Sequence, residues 1–160
     1  MAEQKTNVMR LLDQKKVVYA AHEYPHGELP VDGLTVASLI GRDPACVYKT
    51  LVVRGSSKTI YVFVVPVGKE LDLKLAAKAA GEKSVEMIHV SEITALTGYV
   101  RGGCSPIGMK KQYKTFLDSS VNELETMIVS AGKIGAQVEL APQQLAQLTR
   151  AGIADIAKEP

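Results

Sequence analysis

CVYKTLVVRGSSKTIYVFVVPV, residues 46–67, decides the fold. Two runs dense in Val, Ile, Thr, Tyr and Phe flank the short link RGSSK. β-Branched and aromatic residues at that density read as strands, and the link as a hairpin-like connection. Upstream, Thr6 is placed to cap a helix carrying Val8, Leu11 and Leu12 on one face and ending near Lys16. VVYAAHEY (17–24) reads as a strand, GELPVDG as a loop, and TVASLIG as a short helix closed by Gly41. Downstream, Asp72 caps the helix LKLAAKAAG, with Gly81 at its end. SVEMI is a short strand, and Ser91 caps a helix through Leu96 that Gly98 ends. GYVRGGCSPIG is a Gly/Pro-rich loop. Strands are predicted at 114–118, 126–130 and 137–140, and Pro142 opens a last amphipathic helix, PQQLAQLTR. Helices and strands mix without a βαβ rhythm. The expected class is α+β around a mixed, barrel-like sheet, with 1–160 as a single domain.

Composition bounds the function. The 160 residues are 46% hydrophobic and 22% charged, ordinary values for a globular chain. Nineteen basic against 17 acidic residues give a net charge of +2, too small to mark a nucleic-acid binder by itself. The polar, mixed-charge start MAEQKTNVMRLLDQ is no signal peptide, and no apolar run approaches the roughly 20 residues a bilayer span needs. With no export signal, Cys46 and Cys104 are expected as free thiols in the cytoplasm, and no membrane association is expected.

HEYPH, residues 22–26, spells the zinc-protease signature H-E-x-x-H. That motif needs both histidines on one helix face. Pro25 lacks an N–H, and in a helix its ring would strike the carbonyl of Ala21. In an extended strand His22 and His26 lie roughly 13 Å apart, too far for ligands that each sit ~2.1 Å from one metal. No metal and no cofactor is expected.

Three other stretches draw notice. By strand alternation Val47, Lys49, Leu51 and Val53 share a face. Lys49 among aliphatics either snorkels at the sheet edge or aims a buried ammonium at a carbonyl, phosphate or ribose. Thr50 faces the other way unless the strand bulges. In GGCSPIG, Gly102 and Gly103 permit positive φ and a close ligand approach, or simply make a turn; it is not a P-loop. Cys104 has only Arg101, Lys110 and Lys111 near it in sequence, a weak case for a nucleophile. In SAGKIGAQVEL, Ser130, Gly132 and Lys133 form either a hairpin turn or the rim of a pocket facing the Gly-Gly loop. Lys110, Lys111, Lys114 and Lys133 either line an edge that meets a phosphate backbone or form a solvated surface.

Taken together and in order, CVYKTLVV, LDLKLAAKAAG, VEMI, TGYVRGGCSPIGMKK, VSAGKIG and VELAPQQL resemble the YbaK/EbsC family of aminoacyl-tRNA deacylases over nearly the whole chain. The resemblance implies a compact, barrel-like α+β editing domain that hydrolyses mischarged Cys-tRNA(Pro) in trans. The family's central lysine falls on Lys49, followed by Thr50. Its H-x-Y tyrosine falls on Tyr24, its loop glycine on Gly102 beside Gly103, and its later serine and glycine on Ser130 and Gly132. Ala131 and Ile134 depart from the family's G-G-K-R-G. The implied partners are the acceptor end of tRNA(Pro) and, as a second candidate, prolyl-tRNA synthetase. The implied chemistry is substrate-assisted: the substrate's own thiol attacks its ester, and the protein positions it. Cysteine and proline are close in size, and a methylene-sized difference yields only ~1–3 kcal/mol of discrimination, so a separate editing site makes physical sense. A deacylase for another charged tRNA, such as Ala-tRNA(Pro), and a non-catalytic tRNA or synthetase binder of the same fold are the rival readings.

Overall fold

The computed structural model describes residues 5–160. Helix α1 (Asn7–Gln14) starts at Thr6, whose hydroxyl accepts the Met9 N–H at 3.2 Å. Strand β1 (Tyr19–Glu23) follows, then α2 (Gly33–Leu39), β2 (Tyr48–Gly55), β3 (Ile60–Pro66) and β4 (Glu70–Leu71). Next come α3 (Leu73–Ala80), capped by Asp72 and ended by left-handed Gly81, and β5 (Val85–Met87). Then come α4 (Ile93–Thr97), β6 (Lys114–Asp118), β7 (Met127–Ser130), β8 (Ala136–Leu140), α5 (Pro142–Thr149), β9 (Gly152–Ala154) and β10 (Ala157–Lys158).

The α+β mixture expected from the sequence is what forms. Its strands make separate sheets that do not close into a barrel. One is five-stranded, ordered β5-β2-β3-β6-β9, with antiparallel β2–β3 and β2–β5 pairs and parallel β3–β6 and β6–β9 pairs. A three-stranded antiparallel sheet runs β1-β8-β7, and β10 pairs with β4. A single parallel bridge, Val47–Ile128, links the two larger sheets.

The β2–β3 hairpin is the spine of the core. Tyr48, Val52, Val62 and Val64 face the main cluster, with Val8 and Leu12 of α1 and Leu145 of α5. Leu51, Val53, Phe63 and Val65 face a second cluster under α3, where Phe63 stacks on Phe116 at 5.2 Å between ring centres. Both faces of β2 and β3 are buried, so their sequence is apolar almost without alternation.

Two local readings are corrected. Ser91 does not cap a helix. It lies inside a 3-10 turn over Val90–Glu92 that leads into α4, and the Glu92 carboxylate accepts the His89 N–H instead. The early strand begins at Tyr19 rather than residue 17, because Lys16 has positive φ and the Val17 N–H still bonds the Leu12 carbonyl. After Arg150, where the sequence reading predicts no element, β9 and β10 form. Asp118 Oδ1 accepts the N–H groups of Ile156 and Ala157 at 3.1 Å each, holding β9 and β10 against the sheet.

Candidate functional site

The site is built where β2 loses its neighbour. Strand β5 pairs with β2 only through Val53, Arg54 and Gly55. Upstream of Val52 that edge meets no strand until the Val47–Ile128 bridge. A cavity of about 390 Å³ opens along this gap and is lined by every residue of β2 from Tyr48 to Val52. Its size is that of a small-molecule or cofactor pocket. The β2–β3 register is unbroken, so Lys49 and Thr50 do project to opposite faces. Both still reach the cavity, because it wraps around the free edge of the strand.

Of the residues singled out in the sequence, Tyr24, Lys49, Thr50, Gly102 and Ser130 all line this one cavity. They come from β2, from the end of β7 and from the segments that follow β1 and α4, up to 106 positions apart (130 − 24). Gly103 and Gly132 lie behind the wall rather than on it. A Cβ on Gly103 would sit 2.8 Å from backbone atoms of Lys133, and one on Gly132 would sit 3.0 Å from the Tyr99 ring. Gly102, at φ +85°, faces Pro30, which a Cβ would meet at 2.7 Å. Gly135, at φ +95°, lies against the His26 ring. These contacts join the loops around Pro30, Gly102 and Lys133 into a collar beside the cavity.

Three buried polar atoms in the lining have no hydrogen-bond partner among the described residues: Tyr24 Oη, Thr50 Oγ1 and Gln137 Oε1. Leaving such atoms unpaired costs roughly 1–3 kcal/mol each. Together they make a cavity that a polar ligand completes. Lys49 is half-buried, and burial lowers its pKa from the ordinary lysine value, a shift that Glu70 partly opposes. Burial pushes the Cys104 thiol up to about 11, which keeps it protonated at neutral pH and argues against a thiolate nucleophile. Among the described residues, no histidine or carboxylate lines the cavity.

HEYPH is divided in space. His22 points its Nε2 at Glu139 (2.8 Å), while His26 bonds the Gly27 carbonyl through Nδ1. Glu139 also accepts from Arg42 and from Thr126. Burial alone would raise the Glu139 pKa, but the bonds from Arg42, Thr126 and His22 hold it down at about 2. Glu139 lies two residues beyond Gln137 on β8, and His22 stands opposite Gln137 in the β1–β8 register. The network therefore braces the wall that carries Gln137 and Tyr24.

The basic residues that recur in the sequence do not line the cavity. Lys114 stands over the Phe116 ring, 5.5 Å from its centre, and Lys110 reaches the Ala95 carbonyl. Ala131 sits in the main core, so this departure from the family pattern adds a methyl to packing and not to the cavity. Sequence reasoning missed Gln137 and Arg101 in the lining. Gln137 carries a sequence signal, a polar residue amid the apolar strand AQVEL, but only the fold shows that it is unpartnered.

Residues 33–148 match the aminoacyl-tRNA editing domain. The chain is 46% identical over 154 residues to the candidate Cys-tRNA(Pro)/Cys-tRNA(Cys) deacylase EbsC of Enterococcus faecalis, covering 96% of this chain and 94% of that protein. The uncharacterized protein YwhH of Bacillus subtilis is 26% identical over 113 residues, 71% of each chain. Among solved structures, a candidate trans-editing enzyme for prolyl-tRNA synthetase superposes with a TM-score of 0.81 at 23% identity, over 98% of this chain and 99% of its own. That likeness shows the shared fold; membership rests on the sequence matches. By these, the chain belongs to the aminoacyl-tRNA editing domain family, in its YbaK/EbsC branch.

Proposed function

We propose that this chain clears cysteine mischarged onto tRNA(Pro), as the name of its Enterococcus faecalis relative suggests for that protein. The observation that carries the reading is the cavity itself. It gathers Lys49 and three unpartnered polar atoms, and it offers neither a thiolate nor a histidine–nucleophile pair. Such a site positions a substrate that brings its own nucleophile. The cysteinyl thiol loses its proton and attacks its own ester carbonyl. The S–C bond forms as the C–O bond to the ribose breaks, and the ribose oxygen takes up a proton. The cyclic thioester then opens in water to free cysteine.

In this reading the Lys49 ammonium faces the ester region, where negative charge develops. The Gly102 backbone lies along the aminoacyl group. Tyr24, Thr50, Ser130 and Gln137 supply the hydrogen bonds that fix it. Gly103 and Gly132 hold the loops behind them. Residues from Tyr24 to Gln137 build one cavity, so the chain works as a single deacylase unit. Prolyl-tRNA synthetase, in the cytoplasm, is the natural source of the tRNA specificity that a cavity of this size does not encode. No helix among the described residues is long and apolar enough to cross a membrane.

Side-by-side deacylation of Cys-tRNA(Pro) and Ala-tRNA(Pro) tests this. Faster loss of cysteine is expected. Faster loss of alanine, which has no thiol, overturns the thiol-assisted scheme.

A further inference from the structure

The charge lining the cavity does not suit an aminoacyl group alone. Its charged lining residues are Lys49 and Arg101; among the described residues no carboxylate lines it, and Glu70 acts on Lys49 from outside the lining. An esterified amino acid brings a third positive charge in its α-ammonium group. Three cations sharing one partly desolvated space repel one another, and the repulsion is stronger there than in bulk water. A ligand that also carries an anion removes the conflict.

Arg101 is the group free to meet that anion. It is exposed and lines the cavity, and among the described residues its guanidinium has no ion pair or hydrogen bond. Two arginines outside the lining are engaged: Arg42 with Glu139 and Arg54 with Glu92. Arg101 stands next to Gly102, whose positive φ and contact with Pro30 fix the loop on which it is carried. An arginine pairs with phosphate through two parallel N–H bonds, a geometry that lysine does not reproduce.

We propose that Arg101 recognises the 5′-phosphate of the terminal nucleotide that carries the amino acid. This rests on the deacylase reading above and deepens it. The cavity then takes a nucleotide ester rather than an amino-acid ester. Lys49 serves the ester end, Arg101 serves the phosphate end, and the lining also offers the apolar side chains of Met87, Ile88 and Val90 to the nucleoside.

The test uses two small substrates, 3′-cysteinyl-adenosine and the same ester bearing a 5′-phosphate. The wild type is expected to favour the phosphorylated ester in kcat/KM by about tenfold or more, the effect of one charge-assisted contact. Arg101→Gln is expected to bring that ratio close to one, by raising KM for the phosphorylated ester, while kcat/KM for cysteinyl-adenosine, relieved of one cation, does not fall. Arg101→Lys is expected to keep part of the preference. An equal loss on both esters, or a preference that survives Arg101→Gln, overturns the assignment. Equilibrium binding of adenosine 5′-monophosphate against adenosine separates the two readings. If neither ester turns over but the monophosphate binds more tightly and loses that advantage in Arg101→Gln, the phosphate site stands and the deacylase reading fails. If the monophosphate and adenosine bind alike, the phosphate site fails.

Discussion

Gly103 and Lys133 touch through their backbones: a Cβ on Gly103 would lie 2.8 Å from both the Cα and the carbonyl carbon of Lys133. Two loops that are separate in sequence are thereby fused behind the cavity. Gly103→Ala forces rigid backbone atoms apart rather than a flexible side chain. It is expected to cost about 1–3 kcal/mol in urea unfolding and to lower deacylation at least tenfold, because Gly102 moves with its neighbour. Gly27→Ala, where an added Cβ meets nothing within 4 Å, is the control and is expected to change neither.

Glu139 ties β8 to His22, Arg42 and Thr126. Its carboxyl is held at about 2, below the ordinary 4.5. A carboxylate depressed in the folded state contributes stability that is fully present above the unfolded value and is lost as pH falls through the folded one. Acid unfolding is therefore expected to set in below about pH 4.5 and to steepen towards pH 2. Glu139→Gln is expected to flatten that limb and to cost about 2–3 kcal/mol near neutral pH, where Arg42 loses its counter-charge. Glu82, also held at about 2 by Ser57 and Tyr61, adds a second acid-sensitive group that survives the substitution.

Lys49 loses its proton more readily than a free lysine, because burial disfavours the ammonium. If the ammonium supports the reaction, activity falls as pH rises through this lowered value. The alkaline limb of the pH–rate profile is then expected below 10.5, the ordinary lysine value. Lys49→Arg, which stays charged throughout, is expected to remove that limb even where it lowers the rate.

Cys104 lines the cavity, yet burial raises its thiol to about 11. Cys104→Ala is expected to keep kcat within about twofold of the wild type and to cost about 1 kcal/mol for the small void it leaves. A loss of a hundredfold or more would instead make the thiol a participant in the chemistry.

Much of this was legible in the sequence because it is local. The strands of the hairpin, the caps at Thr6 and Asp72, and left-handed Gly81 and Gly98 follow from residue type and spacing. Tyr24, Lys49, Thr50, Gly102 and Ser130 came from the family pattern, and the fold brings all five to one cavity. What stayed hidden depends on pairing between distant segments. Nothing in GIADIAK announces that β9 and β10 are held by Asp118, nearly 40 positions away. The free edge of β2 exists only because β5 is three residues long and stops at Met87, which is what lets opposite faces of one strand share a cavity. Gln137 and Arg101 were missed because a missing partner is a property of the folded neighbourhood.

The most direct measurement is single-turnover deacylation of Cys-tRNA(Pro) and Ser-tRNA(Pro), the near-isostere without the thiol, by the wild type and Lys49→Ala. A thiol-assisted deacylase positioned by Lys49 predicts fast loss of cysteine only, and loss of that activity in Lys49→Ala. Equal clearance of serine and cysteine, or a Lys49→Ala rate equal to the wild type's, contradicts it.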